Sequence, residues 1–193
     1  MIKIAILASG EGTNAQAIIE YFKNYSIQID VFSDKKDAKV IEKAEKLGKK
    51  AQYLAFENTF EFFNKNPYDL YVLAGYMRIL PKEVLSLGTF INIHPSLLPA
   101  FKGKNAIKRA YEYGVQVSGV TVHYVSEEVD SGTIIAQRPV IIAPEMNLQE
   151  FEEKIHEVEH TLYPLVIESL LYNKIIDFNL NKKNGGCSCK CSS

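Results

Sequence analysis

Asn92 and His94 stand two positions apart in the run Phe90-Ile91-Asn92-Ile93-His94-Pro95-Ser96-Leu97-Leu98-Pro99. The run opens as a short apolar strand, and side chains on a strand alternate faces. Asn92 and His94 therefore point one way, and Ile91 and Ile93 point the other way into a packed layer. Pro95 donates nothing to a sheet ladder and keeps His94 extended, so the strand ends there. A carboxamide and an imidazole are thus presented side by side at the carboxyl end of a strand, where open α/β sheets bind small ligands. Together they could steady an oxygen as it becomes anionic and move a proton. A turn-capping Asn and a satisfied core His fit the same spacing, so the rest of the chain has to decide.

The elements around them read as alternating strands and helices. Lys3 to Ser9 is a buried strand, Gly10-Glu11-Gly12-Thr13-Asn14 turns sharply, and Ala15, Ile18, Ile19 and Phe22 form the inner stripe of a helix. A Gly-rich turn at a helix amino end presents backbone N–H groups suited to phosphate. Gly10-x-Gly12-x-x-Ala15, with Asp34 further on, also satisfies a loose dinucleotide fingerprint. Ile27 to Ser33 is the second strand, followed by a helix with Val40, Ile41, Ala44 and Leu47 inward and stopped by Gly48. Ala51 to Phe56 is the third strand and Phe60 to Asn64 a short helical piece. Asp69 to Gly75 is an apolar strand of the kind buried in parallel sheets. It leads through Tyr76-Met77-Arg78-Ile79-Leu80 to a helix starting near Pro81. This is a doubly wound, mostly parallel α/β pattern.

Beyond Gly103 the pattern changes. A helix from Asn105 to Tyr113 precedes the strand Ser118 to Val125, which carries Thr121 and His123 on one face. A short loop, Ser126-Glu127-Glu128-Val129-Asp130-Ser131-Gly132, joins it to the strand Thr133 to Ile142, which favours an antiparallel pair. Asn147, with Glu150 three residues on, opens a long helix in capping-box fashion. Leu148, Phe151, Ile155, Val158 and Leu162 form its inner stripe, and Pro164 is expected to kink it.

Composition bounds what such a domain does. The 193 residues favour one domain, assigned to 1–180, and a hydrophobic fraction of 47% supports a full core. Lysine and arginine number 22 against 23 acids, interspersed, so no basic surface for nucleic acid is expected. No stretch approaches membrane-spanning length and the opening apolar run is too short for a signal region, which suggests a cytoplasmic protein. All three cysteines, Cys187, Cys189 and Cys191, lie in a polar stretch at 181–193 that is expected to be a disordered, reduced tail. Their one-residue spacing departs from the usual zinc pattern. No metal is expected.

Taken together, Asn92-x-His94-Pro95-Ser96-Leu97-Leu98-Pro99, Gly119-Val120-Thr121-Val122-His123-Tyr124-Val125 and Asp130-Ser131-Gly132 resemble the folate-dependent formyltransferases. The similarity runs from Lys3 to about Leu170. Ser9-Gly10-x-Gly12-Thr13-Asn14 and Gly75-Tyr76-Met77-Arg78-Ile79-Leu80 point within them to the phosphoribosylglycinamide formyltransferases. The resemblance implies a Rossmann-like formyltransferase fold with an antiparallel carboxyl-terminal strand pair and a long final helix. It implies transfer of a formyl group from the co-substrate 10-formyltetrahydrofolate to the amine of 5-phosphoribosylglycinamide in de novo purine biosynthesis. Asn92 and a protonated His94 would donate to the oxyanion, and Asp130 would favour the imidazolium by opposite charge or relay the amine proton through water.

By the same resemblance Gly12, Thr13, Asn14 and Glu159 hold the nucleotide. Met77, Arg78, Ile79, Leu80 and Asn92, with the loop Ser126, Glu127, Glu128, Val129 and Asp130, hold the folate; Thr121 and His123 support the site from behind. Three features depart from the pattern: Lys102 stands where many relatives have proline, no arginine before Asp69 matches one that contacts the nucleotide, and position 156 is His where some relatives have glutamine. The partners expected are small molecules, with monomer and homodimer both open. The rival readings are a formyltetrahydrofolate deformylase, with water as acceptor, and a non-catalytic dinucleotide-binding module.

Overall fold

A computed structural model describes residues 1–176. Among these residues seven strands form one sheet in the order β3-β2-β1-β4-β5-β6-β7. They are β1 (Ile2–Ala8), β2 (Ile27–Ser33), β3 (Lys50–Tyr53), β4 (Leu70–Leu73), β5 (Phe90–His94), β6 (Val117–Tyr124) and β7 (Ile134–Ile141). The first five run parallel, β6 runs antiparallel to β5, and β7 runs antiparallel to β6. Among the described residues six α-helices accompany them: α1 (Thr13–Tyr21), α2 (Lys39–Lys46), α3 (Thr59–Lys65), α4 (Lys82–Leu85), α5 (Ala106–Tyr113) and α6 (Leu148–Tyr172). This is the doubly wound fold with an antiparallel pair and a long final helix that the residue pattern predicts.

The period of two along each strand sorts side chains into two cores. On β1, Ile4, Ile6 and Ala8 join a large cluster with Ile18 of α1 and Ile155, Leu162 and Tyr163 of α6. Ala5 and Leu7 face a smaller, aromatic cluster holding Phe32, Phe63, Tyr71 and Phe90. Tyr71 and Phe90 stack across β4 and β5 with centroids 4.2 Å apart. Ile91 and Ile93 fall in the first cluster, as expected, leaving Asn92 and His94 on the opposite face.

The chain builds outward from β1 through β2 to β3, then crosses to β4 on the other side of β1. Loops leaving β1 and β4 therefore diverge at this reversal, opening a crevice at the carboxyl ends of the parallel strands. Gly12 shapes one wall. Its φ of +74° lies in the left-handed region, and a Cβ there would fall 2.4 Å from Val40 Cγ2. The turn thus brings α2 close beneath the start of α1.

Several local expectations shift. The third strand is Lys50–Tyr53, and Phe56 belongs instead to a 3₁₀ turn, Phe56–Asn58. The helix expected near Pro81 does start there, as a single turn, with Pro81 extended at its N-cap and not in its first turn. Leu47 is 38% exposed rather than inward, because α2 ends at Lys46 and Leu47 is its C-cap. The capping box forms as expected, with Glu150 N–H donating to Asn147 Oδ1 and Asn147 N–H to Glu150 Oε2. Helix α6 runs unbroken through Pro164. Among the described residues no helix is long and apolar enough to cross a membrane. The cysteine stretch at 181–193 lies outside the described residues.

Candidate active site

A cleft of about 1210 Å³ lies over the crevice. Its lining joins the turn after β1 (Gly12, Thr13, Asn14), the segment after β4 (Met77, Arg78, Ile79, Leu80), the end of β5 (Asn92, His94), His123 of β6, the loop residues Ser126, Glu128, Val129 and Asp130, and Glu159 of α6. Segments separated by more than a hundred residues thus share one space. Two expected residues stand outside the lining. Thr121 is wholly buried behind it, and the exposed Glu127 lies 4.0 Å from Lys82.

Asp130 is the hub of one end. Antiparallel pairing places His123 opposite Asn92 and Thr121 opposite His94. The β6–β7 loop then folds back over them. A Cβ on Gly132 would fall 1.7 Å from the Tyr124 carbonyl oxygen, so only glycine lets the loop close this tightly. Asp130, with φ 49°, turns its carboxylate inward. Its Oδ2 lies 3.2 Å from His94 Nδ1 and accepts the Gly103 N–H at 2.8 Å. Its Oδ1 lies 3.6 Å from His123 Nε2 and 3.5 Å from Asn92 Nδ2. Burial by itself would push the carboxyl up. The His123 contact, the Gly103 N–H and the charges of His94 and His123 outweigh it, and Asp130 sits below the usual carboxylate range.

Both nitrogens of His94 have acceptors. Nδ1 faces the Asp130 carboxylate, and Nε2 lies 3.0 Å from the Phe101 carbonyl. His123 Nδ1 is 2.8 Å from the Tyr124 carbonyl, which leaves its Nε2 3.3 Å from Asn92 Nδ2. Behind this group Thr121 Oγ1 donates to the Ser96 carbonyl at 2.6 Å and accepts from the Leu98 N–H at 3.0 Å and Gln137 Nε2 at 2.9 Å. Thr121 therefore clamps the turn that follows His94.

At the other end, Glu159 is 4% exposed. Its Oε2 accepts from Asn14 Nδ2 at 3.2 Å and lies 2.8 Å from His156 Nδ1. The bond to Glu159 raises the His156 pKa above its ordinary value, although burial opposes it. Between the two ends, Met77 and Ile79 are each 64% exposed at the mouth, while Leu80 is buried in the floor. The Arg78 side chain turns aside: Nε donates to Asp34 Oδ2 at 2.8 Å, and the guanidinium lies over the Phe56 ring. Asp34 also accepts from Ser9 Oγ at 2.6 Å, and Ser9 Oγ accepts the Met77 N–H. The acid of the dinucleotide fingerprint is thus spent on holding the Met77–Arg78 segment.

Sequence reasoning passed over the Phe101 carbonyl and the Gly103 N–H, because backbone groups leave no mark in residue type. It also passed over Gln137, which pairs with Thr121 in the β6–β7 register. Placing those two strands in register was the signal that pointed to it.

A formyl transferase family model matches residues 2–167. The chain is 40% identical over 186 residues to phosphoribosylglycinamide formyltransferase of Bacillus subtilis, covering 89% of this chain and 95% of the relative. It is 38% identical over 181 residues to the human trifunctional purine biosynthetic protein adenosine-3, covering 86% of this chain and 18% of that protein. The crystal structure of glycinamide ribonucleotide transformylase 1 from Geobacillus kaustophilus superposes with a TM-score of 0.81 at 41% identity, covering 89% of this chain and 99% of that one. With a matching fold and a match over nearly the whole described chain, the protein belongs to the formyl transferase family.

Proposed function

We propose that this protein transfers the formyl group of 10-formyltetrahydrofolate to the amine of 5-phosphoribosylglycinamide, a step of de novo purine synthesis carried out in the cytoplasm by a single domain. The observation that carries the reading is the convergence of Asn92, His94 and Asp130 in the same cleft as Gly12, Thr13, Asn14 and Glu159. The cleft fits two ligands of opposite character. One mouth has apolar side chains, Met77, Ile79 and Val129, suited to a flat ring; the other has a Gly-containing turn at a helix amino end, suited to phosphate.

The folate supplies an activated formyl carbon. Attack by the amine places negative charge on the formyl oxygen and positive charge on the nitrogen. Asn92 and His94 are the donors to that oxygen. For His94 this means that Nε2 gives up the Phe101 carbonyl and takes the substrate oxygen in its place. Asp130 faces Nδ1 and fixes the ring so that Nε2 is turned to that oxygen. With its carboxyl held below the usual range, Asp130 remains an anion near neutrality and accepts the amine proton directly or through a water. The intermediate then collapses: the formyl C–N10 bond breaks, the carbonyl re-forms on the new amide, and the proton passes to N10 as tetrahydrofolate leaves. The Ser126–Asp130 loop covers the folate, and the backbone of Met77 to Leu80, braced by Ser9 and Asp34, presents hydrogen-bonding edges to its ring.

The test is consumption of 10-formyltetrahydrofolate with and without 5-phosphoribosylglycinamide. Turnover that requires the amine and yields the formylated nucleotide is the expected result. Equal turnover in its absence indicates a hydrolase, and nicotinamide dinucleotide binding without turnover indicates a binding module.

A further inference from the structure

We infer that His156 is a specificity-determining residue for the anionic nucleotide: its imidazolium balances the buried Glu159 carboxylate beside the Gly12–Asn14 turn, so that the subsite meets the phosphate without net negative charge. This deepens the proposed function and rests on the nucleotide binding at that turn. Glu159 is buried, lines the cleft, and bonds the first turn of α1 through Asn14. A buried carboxylate next to an anion site is a liability, since like charges repel most strongly where water is scarce. His156 lies one helical turn before Glu159 with Nδ1 2.8 Å from Oε2, half-exposed and lining the cleft.

The surroundings leave this role to His156. On α6, Glu152 adds a weaker attraction, and His160, stacked against His156 with centroids 6.4 Å apart, has its pKa lowered by burial. On α1 the facing groups are Asn14, already bonded to Glu159, and Glu20, which acts on His160. Lys35 and Lys104 are the other cations of the lining, apart from Arg78, which is bound to Asp34.

The sign follows directly. The His156 pKa is raised, so the ring stays charged past the ordinary histidine range and loses its charge as pH climbs through the raised value. The His156–Glu159 pair then passes from neutral to singly negative, and the KM for the nucleotide rises. Neutral His156 can still donate from Nδ1 to Glu159, so what changes is charge rather than the hydrogen bond. The experiment measures KM and kcat for 5-phosphoribosylglycinamide between about pH 6 and pH 9. It compares the unmodified enzyme with His156→Gln and His156→Arg. Ratios between variants cancel the titration of the nucleotide's own phosphate and amine.

The unmodified enzyme is expected to match His156→Arg at low pH and His156→Gln at high pH, crossing a gap of roughly three- to tenfold in KM, with kcat moving less. Binding of the nucleotide by calorimetry at the two pH extremes reads the same ratio without turnover. Identical pH profiles for the enzyme and His156→Gln would overturn the inference and leave the transfer reading intact. Absence of nucleotide-dependent turnover would overturn both.

Discussion

At the Asn92–Asp130 end of the cleft the polar side chains close on one another: Asp130 touches His94, His123, Asn92 and the Gly103 N–H, and Thr121 bonds three partners behind them. At the Gly12–Glu159 end, two buried atoms, Asn14 Oδ1 and His160 Nε2, have no hydrogen-bond partner among the described residues. Buried polar groups are ordinarily satisfied, and the exceptions call for an explanation. The contrast separates two tasks. A group that must meet charge developing on a single atom gains from being held in place beforehand. On the proposed reading, the end that takes the nucleotide is less fully paired than the end that meets the reacting atom.

Four substitutions put this contrast under strain. Asn92→Ala removes a donor from the closed end and should lower kcat by ~10²–10³ while leaving nucleotide KM nearly unchanged. A loss confined to KM would mean that the two ends are not divided in this way. Gly12→Ala strikes the other end. The left-handed backbone and the clash with Val40 should together cost about 2–4 kcal/mol in unfolding free energy and raise nucleotide KM. Denaturant titration alongside kinetics checks it; a KM effect with full stability would show that the turn yields without strain.

Thr121→Val keeps shape but strands the Ser96 carbonyl and the Leu98 N–H, at a cost of roughly 1–3 kcal/mol. Because the turn it clamps follows His94, kcat should fall with stability, and thermal melting with single-turnover rates reads both. Lys102→Met is the mildest. Lys102 Nζ bonds Ser131 Oγ at 2.5 Å, next to Asp130, but the pair is partly exposed, and such contacts contribute about 0–1 kcal/mol. A loss in kcat of under about fivefold is expected. A larger one would make Lys102 part of what holds Asp130 in place.

Much of this was legible before folding was considered. Alternation along β5 separates Asn92 and His94 from Ile91 and Ile93, and the helical stripe Ala15, Ile18, Ile19 and Phe22 is wholly buried. The Asn147–Glu150 box marks the start of α6 to the residue. These signals are local: a period of two or of 3.6, or a cap bonding a neighbour three positions away. Leu47 misled because the helix that Gly48 stops ends at Lys46, which leaves the last member of the stripe on the C-cap, where the helical period no longer fixes its direction.

The amino-acid sequence by itself determined the alternation of strands and helices, the strand end that presents an amide beside an imidazole, and the turn that faces a helix amino end. Each follows from dihedral preference and hydrophobic period within a few residues. Only the tertiary structure decided that the Asp130 carboxylate lies 3.2 Å from His94, that Asp34 serves Ser9 and Arg78, and that Glu159 reaches Asn14 from 145 positions away. Those distances depend on strand order, loop closure at Gly132 and the docking of α6. They are set by packing among segments remote in the chain, which no local spacing encodes.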